Sequence, residues 1–82
     1  MVQICMYPKA TAEDEVAVRS CLIKEVTAVR VELVGGDGNL QKRVVVELVD
    51  GRTGEATHRN SRYAVNDAIK DAQKAKGRNE HD

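Results

Sequence analysis

Between positions 28 and 49 apolar residues recur at every second position on both sides of a glycine-rich break, and between positions 64 and 75 they recur at every third or fourth. This change of period, from about 2 to about 3.6 residues, requires strands followed by a helix, because only those two geometries bring such residues onto one face. Val29, Val31 and Leu33 form the inward set of one strand, with Arg30 and Glu32 outward. Val44, Val46 and Leu48 form the inward set of the next. The break between them, Gly35-Gly36-Asp37-Gly38-Asn39, matches neither common phosphate-binding glycine pattern and reads as a hairpin connection. Asp50-Gly51 is a second hairpin signal, followed by a weaker strand at about residues 53–58. Ser61 is a plausible cap for the last helix. The apolar stripe of that helix is Ala64, Val65, Ala68, Ile69, Ala72 and Ala75, and Gly77 marks its end.

Upstream, Val2-Gln3-Ile4-Cys5-Met6-Tyr7 alternates as a half-buried strand that Pro8 terminates. Thr11 offers an N-cap for a helix over residues 12–25. Glu13, Asp14 and Glu15 fall in its first turn, where carboxylates complement the helix dipole. Its expected apolar side is Val16, Leu22, Ile23 and Val26, with Val18 and Cys21 elsewhere. The resulting order is β-α-β-β-β-α, an α+β two-layer sandwich with a four-stranded sheet and two helices on one face. Residues 1–76 are expected to form a single domain and residues 77–82 a disordered tail. Arg30, Glu32, Val34, Arg43, Val45, Glu47 and Val49 would point to the open face.

A chain of 82 residues is expected to fold around one small core. It has no apolar run long enough for a membrane span and no secretory signal at its start, so a soluble cytoplasmic protein without a membrane partner is expected. Cys5 and Cys21 form no metal-ligand spacing with His58 or His81 and read as reduced, partly buried small hydrophobes. No nucleophile–base set and no metal cluster is recognisable; no catalytic residue, metal or cofactor is expected, and an enzyme is the least supported class. Tyr7 and Tyr63 are the only aromatic residues, too few for a base-stacking platform.

Charge is balanced at 13 basic and 13 acidic residues, yet polarised along the chain. Residues 1–41 hold four Lys/Arg against six Asp/Glu, net −2. Residues 42–78 hold nine against five, net +4. The basic residues collect near the junction Thr57-His58-Arg59-Asn60-Ser61-Arg62-Tyr63, where a strand end meets a helix start. Backbone N–H donors and cationic side chains can there address one phosphate together. Lys42, Arg43, Arg52, His58, Arg59, Arg62, Lys70 and Lys74 are the candidate phosphate contacts, with Arg59 and Arg62 foremost. Tyr63 either stacks on a base or rests on the helix. Asp67 and Asp71 stand where they can pair with Lys70 and Lys74.

Across residues 26–76, several strings in order resemble the ribosome hibernation-promoting factor and ribosome-associated inhibitor family. Val26-Thr27-Ala28-Val29-Arg30-Val31-Glu32-Leu33 looks like that family's second strand, Lys42-Arg43-Val44-Val45-Val46-Glu47 with Gly51-Arg52 like its third strand and turn. Ala64-Val65-Asn66-Asp67-Ala68-Ile69 is similar to the start of its last helix. The first helix here is shorter and more acidic than the family's. The resemblance implies a short-form, non-enzymatic factor that binds ribosomal RNA of the small subunit and silences translation. A weaker resemblance, to the double-stranded-RNA-binding domain, is carried by Val31-Glu32-Leu33-Val34, Lys42-Arg43-Val44-Val45-Val46-Glu47-Leu48 and Ser61-Arg62-Tyr63-Ala64-Val65. The alternative reading is a small protein-interaction module, an inhibitor or a homodimer, using the open sheet face or an edge strand.

Overall fold

The computed structural model describes residues 2–75. The elements are β1 (Gln3–Cys5), α1 (Ala12–Cys21), β2 (Val26–Val34), β3 (Gln41–Leu48), β4 (Thr53–His58) and α2 (Ser61–Lys74). They form a four-stranded mixed sheet in the order β1-β2-β3-β4, with β1 parallel to β2 and the other neighbours antiparallel. The expected β-α-β-β-β-α α+β architecture is the one observed.

The β3–β4 hairpin turns as Asp50-Gly51 requires. Gly51 sits at φ +94 and donates its N–H to the Leu48 carbonyl at 2.9 Å, while Leu48 N–H reaches the Arg52 carbonyl at 2.8 Å. The core is a valine layer from β2 and β3 against the alanine stripe of α2: Val29, Val31, Val44, Val46 and Leu48 meet Ala64, Val65, Ala68, Ile69 and Ala72, all buried. Small residues on both sides bring helix and sheet into very close contact. A Cβ added to Gly54 of β4 would lie 2.2 Å from the Ala72 nitrogen and 2.4 Å from the Ala68 oxygen, so only glycine fits.

The N-terminal elements depart from expectation. β1 is three residues long rather than six, and Cys5 is exposed. α1 ends at Cys21 instead of running to residue 25; Leu22 caps it in extended conformation, and Val26 already belongs to β2. Leu22 and Ile23 pack against the core from the connecting segment. The expected stripe therefore dissolves. Val16 is 62% exposed and Val18 is fully buried. The inward face is Asp14, Val18 and Cys21, spaced i, i+4, i+7, and it packs on α2 with a carboxylate in a place where periodicity reads only apolar residues.

Leu33 also differs. It was expected inward and is 38% exposed, because α2 packs over β3 and β4 and β1 stops opposite Arg30, leaving the far end of β2 uncovered. Gly77, the expected helix end, and the tail 77–82 lie outside the described residues; α2 closes at Lys74 with Ala75 extended. Among the described residues no helix is long and apolar enough to cross a membrane.

Candidate nucleic-acid interface

The β4–α2 junction is built around Asn60. It takes the extended N-cap conformation, and its Oδ1 accepts from the backbone N–H of Arg62 at 2.9 Å and of Tyr63 at 3.3 Å. Ala64 N–H bonds the Asn60 carbonyl at 3.0 Å. The cap is thus Asn60 and not Ser61, which is the first helical residue and is buried. The helix start is consequently not free for an anion, since its first donors already have partners.

Two of the cations at the junction are engaged as well. Lys42 Nζ donates to the Arg59 carbonyl at 3.0 Å, and Arg59 donates to Asn39 Oδ1 at 2.8 Å, tying the glycine-rich loop to the strand end. Lys42, Arg59 and Arg62 do converge on one shallow recess, shared with Glu13, Asp14, Asn60 and Ser61. Asp14 dominates that recess: its Oδ2 accepts the Tyr7 hydroxyl at 2.5 Å and its Oδ1 the Ser61 hydroxyl at 3.2 Å. The Tyr7 hydrogen bond, with smaller help from Ser61 and the Lys42 charge, holds the Asp14 carboxyl below its ordinary 3.8 against an opposing effect of burial. The Tyr7 hydroxyl is pushed up from 10.0 to about 12 by the same bond, then by burial and by the Asp14 charge. Glu13 and Asp14 both line the recess and repel phosphate, so two carboxylates offset much of the charge of the anion corner read from the sequence.

Three other candidates are placed elsewhere. Arg43 lies on the open sheet face, bonded to Glu32 at 3.1 Å and to Glu55, while Arg30 stands 3.7 Å from Glu32; this is a cross-strand charge ladder over β2, β3 and β4. Arg52 closes the opposite end of α2. It donates to the carbonyls of Gln73 at 3.0 Å and Ala75 at 3.3 Å and pairs with Asp50 at 2.8 Å, a cation on the negative end of the helix dipole. His58 Nε2 lies 2.5 Å from Asp67 Oδ2, clamping β4 to α2.

What remains is the outer face of α2. Arg62, Asn66, Lys70 and Lys74 follow one another at intervals of four and line one side of the helix, with Tyr63 and Gln73 beside them, all exposed. The ridge is about 18 Å long at about 1.5 Å per residue. The helix's two acids do not pair with Lys70 or Lys74 as expected. Asp67 turns to His58, and Asp71 accepts the Glu55 N–H at 3.1 Å, both toward β4. Among the described residues, no ion pair involves Arg62, Lys70 or Lys74. Tyr63 is 62% exposed.

Sequence reasoning passed over Asn66 and Gln73, which share this face and were legible from the spacing. It read Asp14 as a first-turn carboxylate and not as the partner of Ser61, a contact without a local signal because Ser61 is 47 residues away. Among the described residues no group of three His, Cys, Asp or Glu is arranged to hold a metal ion. Comparison with protein-family models, with curated proteins and with solved structures finds no match to this chain.

Proposed function

We propose that this domain is a non-enzymatic RNA-contacting module that lays the outer face of α2 along a phosphate backbone. The observation that carries the reading is the cationic ridge of Arg62, Lys70 and Lys74, which have no ion-pair partner among the described residues and from which the helix's own carboxylates turn away. Its binding is electrostatic: cations at fixed spacing on a rigid helix meet phosphates, and Asn66, Gln73 and Tyr63 add hydrogen bonds and one stacking surface. The proposed setting is ribosomal RNA of the small subunit. Support for that setting is the ordered resemblance of the strand and helix strings, together with the shared order of elements.

The test is RNA binding followed by fluorescence anisotropy across a salt series, with co-sedimentation on small ribosomal subunits. The expected slope of log K against log salt loses about two to three units in the triple variant Arg62→Glu, Lys70→Glu, Lys74→Glu, each phosphate contact carrying about 0.7 to 0.9. Binding that ignores salt, or that survives the triple reversal, removes the proposal. Reversal of Arg43 or Arg52, whose guanidinium groups already have protein partners, leaves the slope unchanged.

A further inference from the structure

We propose that the uncovered edge of β2 accepts an extended peptide of alternating apolar and acidic residues as an added strand. This surface is separate from the α2 ridge, and the inference does not rest on the RNA reading.

The edge is open for a covalent and a tertiary reason. β1 pairs with β2 only through Gln3↔Ala28, Ile4↔Val29 and Cys5↔Arg30, while β2 continues to Val34, still paired with Gln41 on its other side. Among the described residues, 31–34 therefore have a strand neighbour on one side alone. β1 cannot lengthen to cover them. Pro8 lacks an N–H for a ladder, the turn closed by Ala10 N–H on the Tyr7 carbonyl at 3.0 Å redirects the chain, and Tyr7 is anchored to Asp14. The other sheet edge is treated differently: α2 packs on β4, and the Glu55 N–H is taken by Asp71. An uncovered strand edge recruits another strand, because its backbone donors and acceptors are already aligned.

The vacated lane is a groove of about 520 Å³. Met6, Tyr7, Pro8 and Leu33 supply an apolar wall, and Lys9 and Arg30 also line it. Glu32, the only acid among the described residues that line it, already bonds Arg43 at 3.1 Å and lies 3.7 Å from Arg30. The lining thus holds two cations against one acid, and that acid is already bonded by Arg43 from outside the groove. A strand has period 2, so alternate residues of an incoming segment share the face of Leu33 and the others share the face of Arg30 and Glu32. Apolar side chains suit the first set; in the second, a carboxylate placed toward Arg30 is favoured over a cation, because the charge of Glu32 is already engaged by Arg43.

The probe is a fluorescein-labelled hexapeptide of sequence Val-Glu-Val-Glu-Val-Glu, compared with its Val-Lys counterpart and with a backbone N-methylated copy of itself. Anisotropy is expected to saturate for the first peptide, to weaken at least about tenfold on N-methylation, which removes ladder hydrogen bonds, and to weaken again for the lysine peptide. Amide exchange is expected to slow at residues 31–34. The exchange of Lys9→Glu with Arg30→Glu is expected to reverse the preference toward the lysine peptide. Because the N-methyl arm alters only the peptide, it tests the ladder whatever the variants do to folding. Equal binding of the N-methylated peptide, protection confined to α2 or to the open sheet face, absence of saturation, or a doubled solution mass with residues 31–34 protected by a second copy of the chain overturns the proposal.

Discussion

The two helices cover the same sheet by different physics. α2 is seated by shape: a stripe of alanines, one valine and one isoleucine against glycine and valine, with backbone close to backbone at Gly54. α1 contributes one fully buried residue, Val18, and is otherwise held by polar contacts, Asp14 receiving Tyr7 from the β1–α1 loop and Ser61 from the start of α2. A tightly packed helix leaves its outer face free to carry charge for other purposes. A loosely packed one uses its polar side chains to stay in place, and its first turn sets Glu13 and Asp14 beside Lys42, Arg59 and Arg62, whereas Lys70 and Lys74 on the outer face of α2 have no ion-pair partner among the described residues.

If packing without voids seats α2, one side chain at Gly54 should do the greatest damage. Gly54→Val is expected to destabilise by about 3 kcal/mol or more, since its Cβ meets the backbone of α2 rather than a movable side chain. Urea unfolding monitored by circular dichroism measures it; a loss below about 1 kcal/mol would mean that α2 is free to shift. Val18→Ala tests the single apolar anchor of α1 and is expected to cost about 2 kcal/mol, from lost transfer energy and a cavity between the helices.

The polar clamp is the next smaller effect. Asp14→Ala is expected to cost about 1–2 kcal/mol, and a double-mutant cycle with Tyr7→Phe should show coupling, because each variant removes the same hydrogen bond. The clamp also sets pH dependence. Asp14 titrates lower in the folded chain than in the unfolded one, so its contribution is complete above about pH 4 and disappears as pH falls through the depressed folded value. Tyr7 has the opposite sign: its folded value is raised to about 12, so its contribution is complete below 10.0 and is lost as pH rises through 12. Thermal melts from pH 2 to 7 should lose this acid-sensitive component in Asp14→Ala. The smallest effect belongs to Val16→Glu, expected within about 0.5 kcal/mol because Val16 faces solvent; a large loss would restore the stripe that periodicity suggested.

Legibility followed the same division. β4 over residues 53–58, the Asp50-Gly51 turn, the inward valines of β3 and the stripe of α2 were readable because each is determined by neighbours in the chain. α1 was misread because Asp14 occupies an apolar place in its stripe and Leu22 and Ile23 pack from outside the helix. The candidate site was legible as a list of cations and not as a surface. Arg43, Arg52 and Arg62 are chemically alike in sequence, yet carboxylates on other strands hold the first, a helix end holds the second, and the third is exposed with no ion-pair partner among the described residues.

Local periodicity, turn chemistry and small-residue spacing thus determined the order of elements and the face of α2 that meets the sheet. Tertiary structure alone decided which cations have partners, that Asn60 closes the helix start, and that β2 extends past β1 into an open groove. Those outcomes depend on residues brought together from distant parts of the chain, such as Asp14 with Ser61 and Arg59 with Asn39. No local pattern carries that information, because an ion pair or hydrogen bond requires only proximity in space.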